Sequence, residues 1–159
     1  NTFSFDLGGT FIGQGDDADK TREGENFFAE VKNYSSASDQ SSMFTDFLAK
    51  CYVARKEDPK FTDVFSMDHL VPFRVTKWNQ LHSPEEIKKA ILDKRNRLRS
   101  LNISDTQEAE KALSQEEEFL NSLSKDIWLL VLSKEQEDFL TISREEMGVI
   151  AQYRTGKEG

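Results

Sequence analysis

The chain has 159 residues, of which 36% are hydrophobic, 11% aromatic and 31% charged, with a formal net charge of −8. That length gives one domain of ordinary size, able to bury a core without disulfides or a structural metal. The acidic balance argues against a surface that binds nucleic acid all over, though not against a local basic groove. The single cysteine, Cys51, excludes an intrachain disulfide framework and a cysteine metal cluster.

One thiol and no disulfide pattern fit a reducing, cytoplasmic setting. No apolar run approaches the roughly 20 residues of a membrane helix, and no signal-peptide pattern opens the chain. The sequence starts at Asn1, without Met, and is in strand pattern within a few residues. It therefore reads as the tail of something longer or a domain excised from it.

Residues 2–7 alternate, with Phe3, Phe5 and Leu7 on one side and Thr2, Ser4 and Asp6 on the other, which predicts a half-buried strand. Gly8-Gly9 predicts a break or bulge, with strand pattern resuming over 10–14. Residues 15–26 form a polar, acidic loop closed by Gly24, Glu25 and Asn26. Residues 27–34, FFAEVKNY, form the next strand and the hairpin partner of the first.

Residues 35–42 are Ser-rich and loop-like, and a helix is expected from about 42 to 56. Its apolar stripe is Phe44, Phe47, Leu48, Cys51 and Tyr52, with Asp46, Lys50 and Arg55 outside it. Asp58-Pro59 ends that helix. Residues 61–71 read as a strand covered on both faces, and residues 72–82 as a loop around Trp78. Ser83, Pro84 and Glu86 make a strong helix start, with the helix running to about Leu101. A second, from about 104 to 123, completes a helical hairpin with Ile87, Ile91, Leu98, Ala109, Leu113 and Leu120 facing inward. Residues 127–132 form a short apolar strand, and a last helix begins at Ser143.

The chemistry concentrates on the second strand. Residues Phe28, Glu30, Lys32 and Tyr34 share one face, so a carboxylate and an ammonium stand side by side. A partner strand ending at Asp6 places a second carboxylate across from Glu30. Two carboxylates form an oxygen-rich half-shell for a hard divalent cation such as Mg²⁺. Lys32 can orient a cation-bound water or stabilise charge growing on a phosphate. Were the register different, Asp16 or Asp17 would replace Asp6. Taken alone, Glu-x-Lys on a strand is a common solvated pair.

A hairpin with Asp at one strand end, Glu-Val-Lys on the next, then an amphipathic helix and another strand resembles the PD-(D/E)XK nuclease superfamily. The resemblance covers residues 3–71 and rests on Asp6, Glu30, Lys32 and the following Asn33-Tyr34. It implies an α/β, restriction-endonuclease-like mixed sheet flanked by helices, here carrying the helical hairpin as an insertion. The whole of 1–159 would be a single nuclease-like domain: a core over 1–82, the hairpin over 83–123, and a strand and helix over 124–159. Carried over by position, Asp6 and Glu30 would bind Mg²⁺ or Mn²⁺, the Val31 carbonyl would complete the shell and Lys32 would be catalytic. Asn33, Tyr34, Gln40 and Lys77 would line the nucleic-acid groove. The implied activity is a DNA endonuclease of the restriction or antiviral-defence kind, with DNA, a homodimer or a larger defence complex as partners. A non-catalytic interaction module on the same fold is the alternative.

Asp6-Leu7-Gly8-Gly9-Thr10 also resembles the first phosphate loop of the sugar-kinase and actin-like ATPase fold, where glycine amides approach a phosphate. That fold needs two lobes and a chain about twice as long. His69 and His82 fit no zinc spacing, and His69 reads first as a strand or core residue. The basic residues between Lys88 and Arg99 read first as a solvated helix face paired with the acidic helix after it, and second as a phosphate contact.

Overall fold

The computed structural model describes residues 4–11, 22–32, 37–69 and 80–131, with the side chains of Lys32, His69, Val131 and residues 37–40 left aside. Over these residues the protein is α/β, with a four-stranded mixed sheet and five helices. The strands are β1 (Leu7–Thr10), β2 (Asn26–Lys32), β3 (Val64–His69) and β4 (Ile127–Val131), in spatial order β1-β2-β3-β4. β1 runs antiparallel to β2, while β2, β3 and β4 are mutually parallel.

Parallel neighbours need long crossovers. The first is α1 (Ala37–Glu57). The second is made of α2 (Pro84–Leu92), α3 (Arg97–Leu101), α4 (Thr106–Ser114) and α5 (Glu117–Lys125). Register places Phe28, Phe65 and Ile127 in one row, and Glu30, Met67 and Leu129 in the next. This face carries the core: Phe65, Met67 and Ile127 pack with Phe44, Phe47, Leu48, Cys51 and Tyr52 of α1, and with Ile87, Ile91, Leu113, Leu120 and Leu123 of the second crossover. The expected α1 stripe is therefore buried as a unit. Val64, Phe65, Ser66 and Met67 are all buried, so the start of β3 is covered on both faces.

Several expected boundaries move. Gly8 and Gly9 do not break the first strand; they lie inside β1, paired with Phe28 and Phe27. A Cβ on Gly9 would stand 2.8 Å from a Phe27 ring carbon, so glycine here permits a close ring approach and not a turn. The bend falls at Asp6 instead. The Ser-rich stretch is helical from Ala37, because α1 begins there, five residues ahead of the expected start. The third strand starts at Val64, three residues later than expected, and Phe61 is exposed before it.

The helical hairpin is four short helices. Ser83 caps α2 as expected, accepting from the Glu86 amide at 3.3 Å. The first long helix then breaks at Asp93, whose carboxylate accepts the Arg95 amide at 2.9 Å. Asn96 donates to the Ala90 carbonyl at 3.1 Å and is buried. Short polar side chains thus take over the backbone partners that a continuous helix would use. The break also turns Leu98 outward, to 57% exposed, although Ile87, Ile91, Ala109, Leu113 and Leu120 are buried as expected. A second break at Gln115 and Glu116 separates α4 from α5, and Asp105 caps α4. The expectations for residues 1–3, 12–21, 70–79 and 132–159, including Trp78, Leu132 and the helix from Ser143, lie outside the described residues.

Candidate functional site

Asp6 stands at the mouth of β1 and brackets Glu30. Its amide donates to the Ala29 carbonyl at 3.0 Å, and its carboxylate accepts the Val31 amide, also at 3.0 Å. The residue before Glu30 and the residue after it are thus both bonded to Asp6. Leu7, opposite Ala29, is the last paired residue of β1, and Asp6 precedes it at the bend. Asp6 is exposed and its side chain takes a place that a strand carbonyl would otherwise fill.

Glu30 lies on the helix-facing side of the sheet, 5% exposed, whereas Val31 on the other side is 50% exposed. The shared face of Phe28 and Glu30 is therefore the covered face of the sheet, not a solvated one. Burying a carboxylate requires a compensating charge. It comes from Lys50 of α1, whose ammonium donates to Glu30 Oε1 at 2.9 Å and to the Ser4 carbonyl at 3.2 Å. Lys50 also passes over the Phe5 ring, 6.0 Å from its centroid.

Lys50 was expected outside the apolar stripe of α1, as was Arg55. Both turn inward. Arg55 donates to Asp126 at 3.1 Å and to the Asp63 carbonyl at 2.9 Å, and lies over Phe65. A stripe of apolar residues does not register long cationic side chains, which bury their stems and seek distant carboxylates. The one sequence signal is position: Lys50 stands three residues after Phe47 and one before Cys51, at the border of the stripe.

Lys32 is two residues beyond Glu30 in β2, in register with His69 of β3. Gln40 falls in the first turn of α1. Asn33, Tyr34 and Lys77 lie outside the described residues, as do Asp16 and Asp17. Cys51 is fully buried, and burial foremost, with Glu30 next, pushes its thiol well above the ordinary range, so it stays neutral. The basic residues of α2, α3 and the turn between them are partly neutralised close by: Lys89 pairs with Glu86 at 2.6 Å, and Arg95 with Asp93 at 3.2 Å. Arg95 also lies 3.9 Å from Asp46 of α1, and Arg97 donates to the Thr106 hydroxyl at the start of α4.

Among the described residues no group of three or more His, Cys, Asp or Glu side chains gathers as a metal cluster. Magnesium does not need one, since it is held by one or two carboxylates and completes its shell with water and substrate oxygen. Asp6 and Glu30 are two carboxylates on adjoining segments, the number such an ion uses. Both glycines of the Gly8-Gly9 pair are accounted for by the rings of Phe28 and Phe27, without a phosphate.

No family model matches the chain, and neither curated proteins nor solved structures give a significant match. No helix among the described residues is long and apolar enough to cross a membrane.

Proposed function

We propose that this domain is a divalent-cation-dependent nuclease of the PD-(D/E)XK type, hydrolysing phosphodiester bonds of DNA. The observation that carries the reading is Asp6 bracketing Glu30, with Lys32 two residues on along the same strand. The order around them supports it: an antiparallel β1–β2 pair, then α1, then a strand parallel to β2. In open α/β sheets ligands collect outside the carboxyl ends of parallel strands, and Glu30 and Lys32 lie toward that end of β2.

In this reading Asp6, Glu30 and the Val31 carbonyl hold Mg²⁺ or Mn²⁺, and Lys32 stabilises the charge gained by the phosphate in the transition state. The bound cation supplies a polarised phosphoryl oxygen and a water of lowered pKa. Glu30 is held on its strand by Lys50, and Asp6 by the Val31 amide. A restriction-endonuclease-like fold, a cytoplasmic setting and a role in restriction or antiviral defence, alone, as a homodimer or in a larger complex, belong to the same proposal.

The test is cleavage of plasmid and single-stranded DNA with Mg²⁺ or Mn²⁺. Lys32→Ala is expected to lower the rate by about 10²–10³, the usual loss for one transition-state charge donor. Equal rates in the two proteins overturn the role of Lys32. A non-catalytic module on the same fold is favoured by one observation, the Lys50–Glu30 pair, which already neutralises the buried carboxylate. That second reading predicts no cation binding that depends on Asp6 and Glu30.

A further inference from the structure

The Lys50–Glu30 pair has a feature that a plain ion pair lacks. The ammonium spans two segments, one bearing each candidate carboxylate: Glu30 on β2 and, through the Ser4 carbonyl, the stretch that leads into Asp6. An ammonium has three donors. If the bond to Glu30 opens, the bond to Ser4 at 3.2 Å keeps Lys50 in place, and water reaches its side chain, which retains 20% exposure. Glu30 is more enclosed: its side chain is 7% exposed, and a buried carboxylate is stable only beside compensating charge.

We propose that Lys50 is the exchangeable counter-ion of this site: it holds Glu30 in the metal-free protein and yields the carboxylate to a divalent cation while staying bonded to Ser4. This rests on the reading of Asp6 and Glu30 as cation ligands. It assigns Lys50 a positioning role. The metal-free site keeps its carboxylate fixed on β2, and the Asp6 segment remains tied to α1 in both states. Because Lys50 and the cation compete for one carboxylate, each weakens the hold of the other.

Two measurements on the full chain decide this. In the wild-type protein, the ammonium resonance of Lys50, assigned by its loss in Lys50→Arg, is followed by NMR during a Mg²⁺ titration. It is expected to shift with the midpoint found by calorimetry. A resonance unmoved at saturating Mg²⁺ overturns the exchange. By calorimetry, Lys50→Met is expected to bind Mn²⁺ on the order of tenfold more tightly than wild type, a typical coupling between competing ligands. Unchanged or weaker binding also overturns it, and is what a purely structural lysine predicts. Should Lys50→Met not fold, the NMR titration stands on its own. Wild-type protein that binds neither ion removes the metal reading together with this one. Binding that is abolished in Glu30→Gln but leaves the Lys50 signal unmoved removes only the role of Lys50.

Discussion

A methyl group on Gly9 would meet Cε1 and Cζ of Phe27 at 2.8 and 2.9 Å, while one on Gly8 would meet Phe28 at 3.2 Å. Phe27 lies tilted against Phe11, with ring centroids 5.1 Å apart, and Phe11 tilted against Trp128 at 5.8 Å, so the ring belongs to a run of packed rings. Gly9→Ala is therefore expected to cost about 1–3 kcal/mol, the range for overpacking, and Gly8→Ala less. Urea midpoints of the two variants check the order. Cys51 and Tyr52 supply a second prediction at this scale. Burial raises both groups first, and then Glu30 acts on the thiol and the Glu116 hydrogen bond on the phenol. Each group holds its proton more tightly folded than unfolded. Their contribution is complete below the unfolded thiol value of about 8.5 and is lost as pH rises, because the unfolded chain releases the protons first. Denaturant midpoints are expected to fall above that pH, and Cys51→Ala to remove the earlier part of the fall. A midpoint that stays level up to about pH 10 would contradict this assignment.

At the scale of elements, the breaks in the second crossover do structural work. Asn96 closes the end of α2 by donating to the Ala90 carbonyl at 3.1 Å, and also points at the Thr45 carbonyl of α1 at 3.5 Å. Asn96→Ala leaves buried carbonyls without a donor, and a loss of about 1–3 kcal/mol is expected from thermal denaturation. Replacing a surface cap such as Asp105 should cost only about 1 kcal/mol. The start of α2 was legible because Ser83, Pro84 and Glu86 act within a single turn. Its end was not, because Asp93 and Asn96 read as ordinary polar positions until their partners are known. Leu98 shows the consequence: one helical period carried through the break would place it inward, and it is exposed.

Across the whole molecule, Asp126 joins parts that are far apart in sequence. It accepts from Arg55 of α1 at 3.1 Å and from Arg22, ahead of β2, at 3.4 Å, immediately before β4 begins. Arg22 also lies over Trp128, 5.2 Å from the ring centroid. Asp126→Ala strands Arg55 in a partly buried place, with an expected loss of about 1.5–3 kcal/mol, the value for charged hydrogen bonds. The urea midpoint should fall with an unchanged slope, as for a loss confined to the folded state. These ties hold the sheet against α1, and with it the row in which Glu30 meets Lys50.

The amino-acid sequence by itself determined what is local. It placed the β2 strand and its Glu30–Lys32 spacing, the apolar stripe of α1, the cap of α2 and the short apolar β4, since each depends on neighbours within a few residues. It put Asp6 at the close of a strand over 2–7, whereas Asp6 stands at a bend just before β1, which begins at Leu7. Tertiary structure decided what depends on register and on distant charge. It bonded Asp6 to the residues on either side of Glu30, and turned the face of Glu30 toward the helices instead of toward water. It brought Lys50 in from α1 to compensate the buried carboxylate, because a charge removed from water must find its counter-charge wherever the fold supplies one.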